Sequence, residues 1–408
     1  MLKDKVYRYI YESIILGISL YNGAEEMDLE IKIFSLGPIR DSELHLEPGS
    51  LTIVFGPTAS GKSILLNTLS SIYFRSLGDV YKPFTKEILD QYMVKDFNIR
   101  VNGYVLNNKY QLLEINPLKN SEFTPIYFPA NRITLYKLSF PAYEAFTSTL
   151  ISLVKGKGIV NAIIDAYYTY SGRVIKEMYE DIDKLLKAVK EKTISYNTFV
   201  ERVVEDIRKY LSTTYPFSSF LTFYNLVLYA FSTSLLDLSE DHRRYVYNVY
   251  KKYFGHTGNI EYKDNVLRYI HSSGFTHAVR ESSDGIREII YMILILALFK
   301  NRDKDHYKAY VAIDEVELHL YPRTLIGLLD YLLDHVKSYG STVVVSSHSL
   351  FTVAWGIKHV LRKDPVKLLI LSRRDDGFYE LREHDLSMPL EGFEDLYMEL
   401  LLSHRVEE

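Results

Sequence analysis

The chain has 408 residues, 47% of them hydrophobic and 25% charged, with a formal net charge of −4 at pH 7. That length exceeds one ordinary domain, and that composition supports a sizeable core, so the chain reads as one large domain with an insertion or as two domains. The absence of cysteine excludes disulfides, cysteine-ligated zinc and thiol chemistry, and the slight negative charge excludes whole-molecule attraction to a polyanion, leaving only local basic patches.

The chain holds two glutamines against 35 tyrosines; scarce Cys and Gln with plentiful charge fits the composition of a thermophile's protein. Residues 1–20 mix charges with apolar residues, with no small-residue cleavage pattern behind them, and read as a surface helix rather than a leader. The apolar run 289–299 is too short to span a bilayer. The uncharged stretch 210–236, broken by Pro216, reads as a buried helical segment, with a membrane-inserted or partner-binding hairpin as the rival. No membrane association is expected, and the expected compartment is the cytoplasm.

Residues 29–34 alternate like a strand, 35–42 turn, 43–46 alternate again, and 47–50 turn into the apolar run LTIVF at 51–55. Gly56, Pro57, Thr58, Ala59, Ser60, Gly61, Lys62 and Ser63 then satisfy G-x-x-x-x-G-K-[ST], and Ile64 opens a stretch of helical apolar spacing. The loop's backbone N–H groups and the helix N-terminus suit a phosphate chain. Lys62 suits its β- and γ-phosphates, and the Ser63 hydroxyl suits Mg²⁺. Residues 97–105 and 110–115 read as a hairpin, and 124–132 as a short buried strand with a loop behind it.

From 135 to about 270 the pattern becomes helical, as in residues 174–192 and 199–211. The stretch 242–254, HRRYVYNVYKKYF, interleaves basic and aromatic residues. This suits contact with nucleic acid by charge and stacking; the blander reading is a solvated amphipathic helix. Strand and helix alternate again beyond 275: a capped, strongly apolar helix in 282–299, a strand at 310–313, a helix at 322–335, a strand at 341–346, a helix at 350–361, strands at 366–371 and 377–381, and a closing helix at 391–403. A parallel α/β sheet follows, divided as 1–134 (N-terminal half of a head), 135–270 (helical insertion) and 271–408 (C-terminal half).

The strand YVAI delivers Asp314 and Glu315 to the carboxyl edge of that sheet, where ligands bind. Asp314 suits Mg²⁺ and Glu315 suits a base for an attacking water. His348, in SSHS after the strand STVVV, is placed to bond a γ-phosphate. Ser283 and Gly285, in SSDGIRE, open a helix and so form an anion-binding terminus.

This order of motifs resembles the ABC-type P-loop ATPases, and DEVELHLYP at 314–322 looks like the D-E-x-E-x-x-L-H-P segment of the OLD-like, SMC- and RecF-like AAA ATPase group. The resemblance covers about 29–132 and 275–381, not the insertion. It implies an ABC-ATPase-like head with a β-meander and ATP and Mg²⁺ as cofactors. His348 becomes a switch histidine, Glu317 and His319 match positions after the acidic pair, and Ser283 and Gly285 match a signature that reaches the nucleotide of a second protomer. A homodimer with ATP sandwiched between heads is thereby implied. The segment 128–132 stands where that group has a Q-loop; it holds no Gln, and Asn131 or Arg132 is the substitute. The resemblance carries no C-terminal TOPRIM nuclease domain into this chain. No Asn-Lys-x-Asp segment for guanine occurs, which favours ATP.

The expectation is therefore an ATPase whose head dimerisation drives a change in a partner or nucleic-acid complex, of DNA repair or antiviral defence type. A protein effector, a nuclease or similar, would engage the insertion. The rivals are an ATP-binding scaffold with little turnover and a DNA-binding RecF-like factor; nucleic acid has only the stretch 242–254 in its favour.

Overall fold

The computed structural model describes residues 28–76, 85–86, 88–89, 96–118, 123–130, 236, 240–263, 266–299 and 308–384. The expected helices at 1–20, 174–192, 199–211 and 391–403, nearly all of 210–236, and Asn131 and Arg132 lie outside the described residues.

Every residue of β3 (Leu51–Phe55) is buried, which is what an apolar run must achieve when its strand has neighbours on both sides and helices on both faces. Leu51, Ile53 and Phe55 enter one core cluster and Val54 the other, as the two-residue period of a strand demands. β3 pairs in parallel with β11 (Thr342–Ser347) and with β12 (Val366–Arg373). Beyond β11 lie β10 (Lys308–Ile313) and then β6 (Phe123–Phe128), both parallel.

The other edge is an antiparallel meander. β1 (Leu29–Leu36) pairs with β2 (Ile39–Leu46) and with β4 (Phe97–Val101), and β4 pairs with β5 (Tyr104–Leu106). β13 (Tyr379–Glu383) joins β2 to β12. The result is a 10-stranded sheet in the order β5-β4-β1-β2-β13-β12-β3-β11-β10-β6.

Two expectations for this half are corrected. The expected 35–42 turn is confined to Gly37 and Pro38, since β2 starts at Ile39. Residues 110–115 are not a strand. The hairpin lies within 97–106, turned by Asn102 (φ 44°) and Gly103 (φ 88°), the two left-handed positions of a two-residue hairpin turn. The chain then forms the helical turn α2 (Gln111–Glu114). There the Gln111 side-chain oxygen accepts from the main-chain nitrogens of Asn107 and Asn108, at 2.6 and 3.2 Å.

One face of the sheet is covered by α1 (Lys62–Ser76), whose Leu65, Leu66, Leu69 and Ile72 are solvent-free. The other face carries α3 (Glu240–Phe254), α4 (Asp284–Leu296), α5 (Pro322–Tyr339) and α6 (Leu350–Leu361), all contributing to one cluster. The sequence reading places 240–270 in the helical insertion, yet Val246, Tyr250 and Phe254 are buried in this head core. Residues 258–278 are strands rather than helix: β7 (Gly258–Lys263), β8 (Val266–His271) and β9 (Thr276–Ala278) form a small antiparallel sheet. A boundary at 270 would cut β8.

The packing of α3 also bears on its basic-aromatic pattern. Tyr250 and Phe254 face inward, and the Tyr253 ring lies 5.6 Å from that of Tyr331 on α5. Arg244 bonds Glu240, and Lys252 bonds Asp334. The aromatic residues serve the core, so the amphipathic-helix reading describes this stretch better than a stacking platform does. No described helix is long and apolar enough to cross a membrane.

α5 holds a buried histidine. His335 is 1% exposed, flanked by Tyr331 and Tyr339, and neither ring nitrogen has a hydrogen-bond partner among the described residues. Burial pushes its pKa from 6.5 down to about 3. The folded value lies below the unfolded one, so stability is full above pH 6.5 and is lost as pH falls from there toward 3. The slope is about 1.4 kcal/mol per pH unit. The thermal midpoint should fall between pH 7 and pH 5, and His335→Phe should flatten that slope; an unchanged slope would assign the acid sensitivity to other groups.

Candidate functional site

The parallel registers bring four strand ends to one edge. Phe55 pairs with Ser347, Val345 with Ile313, and Ile313 with Phe128. Gly56, His348, Asp314 and Pro129 are therefore the first residues beyond four neighbouring strands, which is where ligands sit in open α/β sheets.

After β3 the loop 56–61 turns back with Ala59 (φ 64°) and Gly61 (φ 101°) in the left-handed region, a backbone that turns successive N–H groups inward. A Cβ at Gly61 would stand 2.9 Å from Pro38 and 3.0 Å from Ile39, so the β1–β2 turn presses on the loop and only glycine fits. Ser60 is fully buried, and its hydroxyl has no partner among the described residues, a donor left over in a loop built around anions. Lys62 is 6% exposed. Its ammonium donates to the Gly56 and Pro57 carbonyls, both at 2.8 Å. Burial lowers its pKa, and the carboxylates of Asp314, Glu317 and Glu315, in that order, oppose the shift.

Asp314 is 1% exposed, and its main-chain nitrogen bonds the Phe128 carbonyl at 2.9 Å. The Ser346 hydroxyl donates to the Asp314 carboxylate and accepts from the Glu315 main-chain nitrogen at 2.8 Å. Glu315 takes φ 51°, unusual for a non-glycine residue and a mark of a position held by its surroundings. The Glu315 carbonyl accepts from Leu318 N, the Glu317 carbonyl from Leu320 N, and Ser346 O from Val316 N, each at 3.0 Å. The loop 314–321 is thus folded tightly onto the end of β11.

His348 belongs to the same constellation through Glu317. Its main-chain nitrogen lies 2.7 Å and its Nδ1 3.0 Å from Glu317 Oε1.

Ser283 and Gly285 stand apart from this group. Ser283 is the N-cap of α4, without a side-chain cap bond, and is exposed. Gly285 meets the far end of the acidic loop: a Cβ there would lie 2.4 Å from the His319 carbonyl oxygen. The neighbouring Ser282 hydroxyl pairs with His277 Nε2 at 3.0 Å, and Asp284 pairs with Arg287. The structure therefore gathers Gly56–Ser63, Asp314, Glu315 and His348 at one sheet edge, while Gly285 packs against His319 and Ser283 stands exposed at the start of α4.

Ser346, the last residue but one of β11, gives no signal of its own in the sequence, and its hydroxyl matters only because β11 neighbours β10. Glu317 stands in the sequence as an acidic position after the acidic pair, but its tie to His348 depends on the loop's fold. The donor set of Asp314 carboxylate and Ser63 hydroxyl, all oxygen, suits Mg²⁺, which keeps waters and phosphate oxygens as its remaining ligands.

The family model described as "AAA ATPase domain" matches residues 79–353. Among solved structures, the chain is similar to an Smc head domain with an extended coiled coil bound to the C-terminal domain of ScpA, from Pyrococcus furiosus. That match has 13% identity, covers 93% of this chain and 98% of that one, and has a TM-score of 0.45. It is also similar to an SMC head domain from Thermotoga maritima (9% identity, 88% and 98% covered, TM-score 0.38). A third is a dimeric bacterial ABC transporter cassette (12% identity, 88% and 98% covered, TM-score 0.36). No curated protein matches the chain. The matched stretch contains Asp314, Glu315 and His348 and more than half of the 408 residues, so this chain belongs to the AAA ATPase domain family.

Proposed function

We propose that this protein binds ATP with Mg²⁺ and hydrolyses it, and that two copies close on the nucleotide. The observation that carries this reading is the phosphate loop that holds the buried Lys62 beyond the end of β3, on the same sheet edge as the Asp314–Glu315 pair beyond the end of β10. Phosphoryl transfer to water asks the protein mainly for positioning and charge neutralisation, and these residues supply both. Lys62 exchanges its two loop carbonyls for β- and γ-phosphate oxygens. The main-chain N–H groups of 56–63 and the Ser60 hydroxyl cradle the phosphate chain. Ser63 and Asp314 hold the metal, which supplies charge neutralisation when bound. Glu315, fixed at φ 51°, takes the proton from the attacking water, and His348 senses the γ-phosphate.

Ser283 and Gly285 complete the site of a second copy. Their support is Ser283's exposure and its uncapped hydroxyl at the N-terminus of a 13-residue helix, an arrangement that offers an anion both donors and a favourable dipole. Asn131 or Arg132, three to four residues past a strand that ends beside Asp314, takes the Q-loop position. The closing of heads would be transmitted through the insertion to a protein effector in DNA repair or antiviral defence. The protein works in the cytoplasm on this reading. An ATP-gated scaffold with little turnover is the second reading, and the held geometry of Glu315 disfavours it.

Lys62→Ala should weaken ATP binding roughly 10- to 100-fold, measured with a fluorescent nucleotide. Glu315→Gln should keep ATP binding, lose turnover by about 10²–10⁴-fold, and elute as a dimer with ATP in size exclusion; a monomer under saturating ATP would sink the sandwich. Ser283→Arg should leave nucleotide binding intact and abolish turnover. Full ATPase activity in that variant would reduce the α4 terminus to an ordinary helix start.

A further inference from the structure

We infer that Glu317 is a positioning residue for His348: it holds the imidazole in the Nδ1–H tautomer, so that Nε2 is the nitrogen offered to the terminal phosphate. The consequence for catalysis rests on the ATPase reading above; the geometry does not.

One oxygen, Glu317 Oε1, faces two groups of the same residue: it accepts from the His348 main-chain N–H at 2.7 Å and stands 3.0 Å from the ring Nδ1. A carboxylate oxygen only accepts, and at that distance an unprotonated Nδ1 would set its lone pair against the carboxylate's, so the contact favours hydrogen on Nδ1. The His348 side chain is 49% exposed while that of Glu317 is 12% exposed, so the carboxylate is the held partner and the imidazole the accessible one.

Glu317 is itself held. Its own carbonyl accepts from Leu320 N, and the preceding peptide, Val316 N, bonds Ser346 O, both at 3.0 Å. The loop bearing the carboxylate is therefore pinned to the strand end that carries His348. On the other side of His348, Ser349 N bonds the Ser347 hydroxyl at 3.0 Å. Glu317 Oε2 is buried without a hydrogen-bond partner among the described residues. A half-satisfied carboxylate in such a place is costly, which marks Glu317 as a group held where it is for the contact it makes with His348.

The test uses the full chain with ¹⁵N-labelled imidazoles, the His348 signals being assigned by their loss in His348→Ala. In the wild type the nitrogen shifts should report hydrogen on Nδ1. Glu317→Ala should move His348 to the Nε2–H form that dominates in a free neutral imidazole, and should lower kcat about 10- to 100-fold with KM changed less than threefold. Glu317→Gln keeps an acceptor oxygen and should restore the Nδ1–H form and most of kcat. Adding Glu317→Ala to His348→Ala should cost nothing further. An unchanged tautomer in Glu317→Ala overturns the assignment. So does a double variant slower than His348→Ala alone by the full Glu317→Ala factor, or a Glu317→Gln variant as impaired as the alanine. If the wild-type chain turns over no ATP, the ATPase reading fails and the nitrogen shifts still decide the role of Glu317.

Discussion

The Ser346 hydroxyl sits between the Asp314 carboxylate and the main-chain nitrogen of Glu315, and the candidate site is organised about that bridge. It exists because β10 and β11 are adjacent and parallel, in a register that sets Ile313 beside Val345. Shift that register by one residue and Ser346 would face the opposite layer. With the bridge in place, the peptide after Ile313 cannot continue as strand, Glu315 is held at positive φ, and the following residues fold back over the end of β11. The acid pair, the buried lysine and the exposed histidine then follow the ends of neighbouring strands without any of them lying on a long loop.

The sheet makes this affordable by separating two layers. β3 sends alternate side chains to two cores, and burying each large apolar side chain contributes about 1.5–3 kcal/mol. The polar groups of the site collect at one edge, where strands stop and helices begin. α1 points its N-terminus at that edge, while α3 to α6 load the opposite face. The 240–254 helix belongs to that load: Tyr253 packs on Tyr331 of α5 and Tyr250 on Tyr269 of β8, so what looks like a basic-aromatic stripe in the sequence is largely packing surface.

Much of this was legible in the residues themselves. The phosphate loop and the acid pair announce themselves by spacing and by the apolar strands before them, and the helix at 350–361 was read to the residue. What was not legible depends on pairing. Gln111 looks like a strand residue until its side chain is seen to close a turn over Asn107 and Asn108. Residues 258–278 carry mixed polar and aromatic side chains that favour no period, and become strands because they pair with one another beside α3. Ser346 and Glu317 are an inconspicuous serine and one acid among many until the sheet's strand order sets them against Asp314 and His348.

The contact of Gly285 with the His319 carbonyl has a consequence for how such a chain can change. Position 285 has no room for even a methyl group, since the carbonyl oxygen would stand 2.4 Å away, and His319 itself adopts φ 61°. The beginning of α4 and the end of the acidic loop are therefore two halves of one fitted joint. A loop transplanted from a relative with a different backbone at 319 would meet α4 badly, and a helix start transplanted alone would meet the loop badly. The two segments, more than thirty residues apart along the chain, are heritable only as a pair.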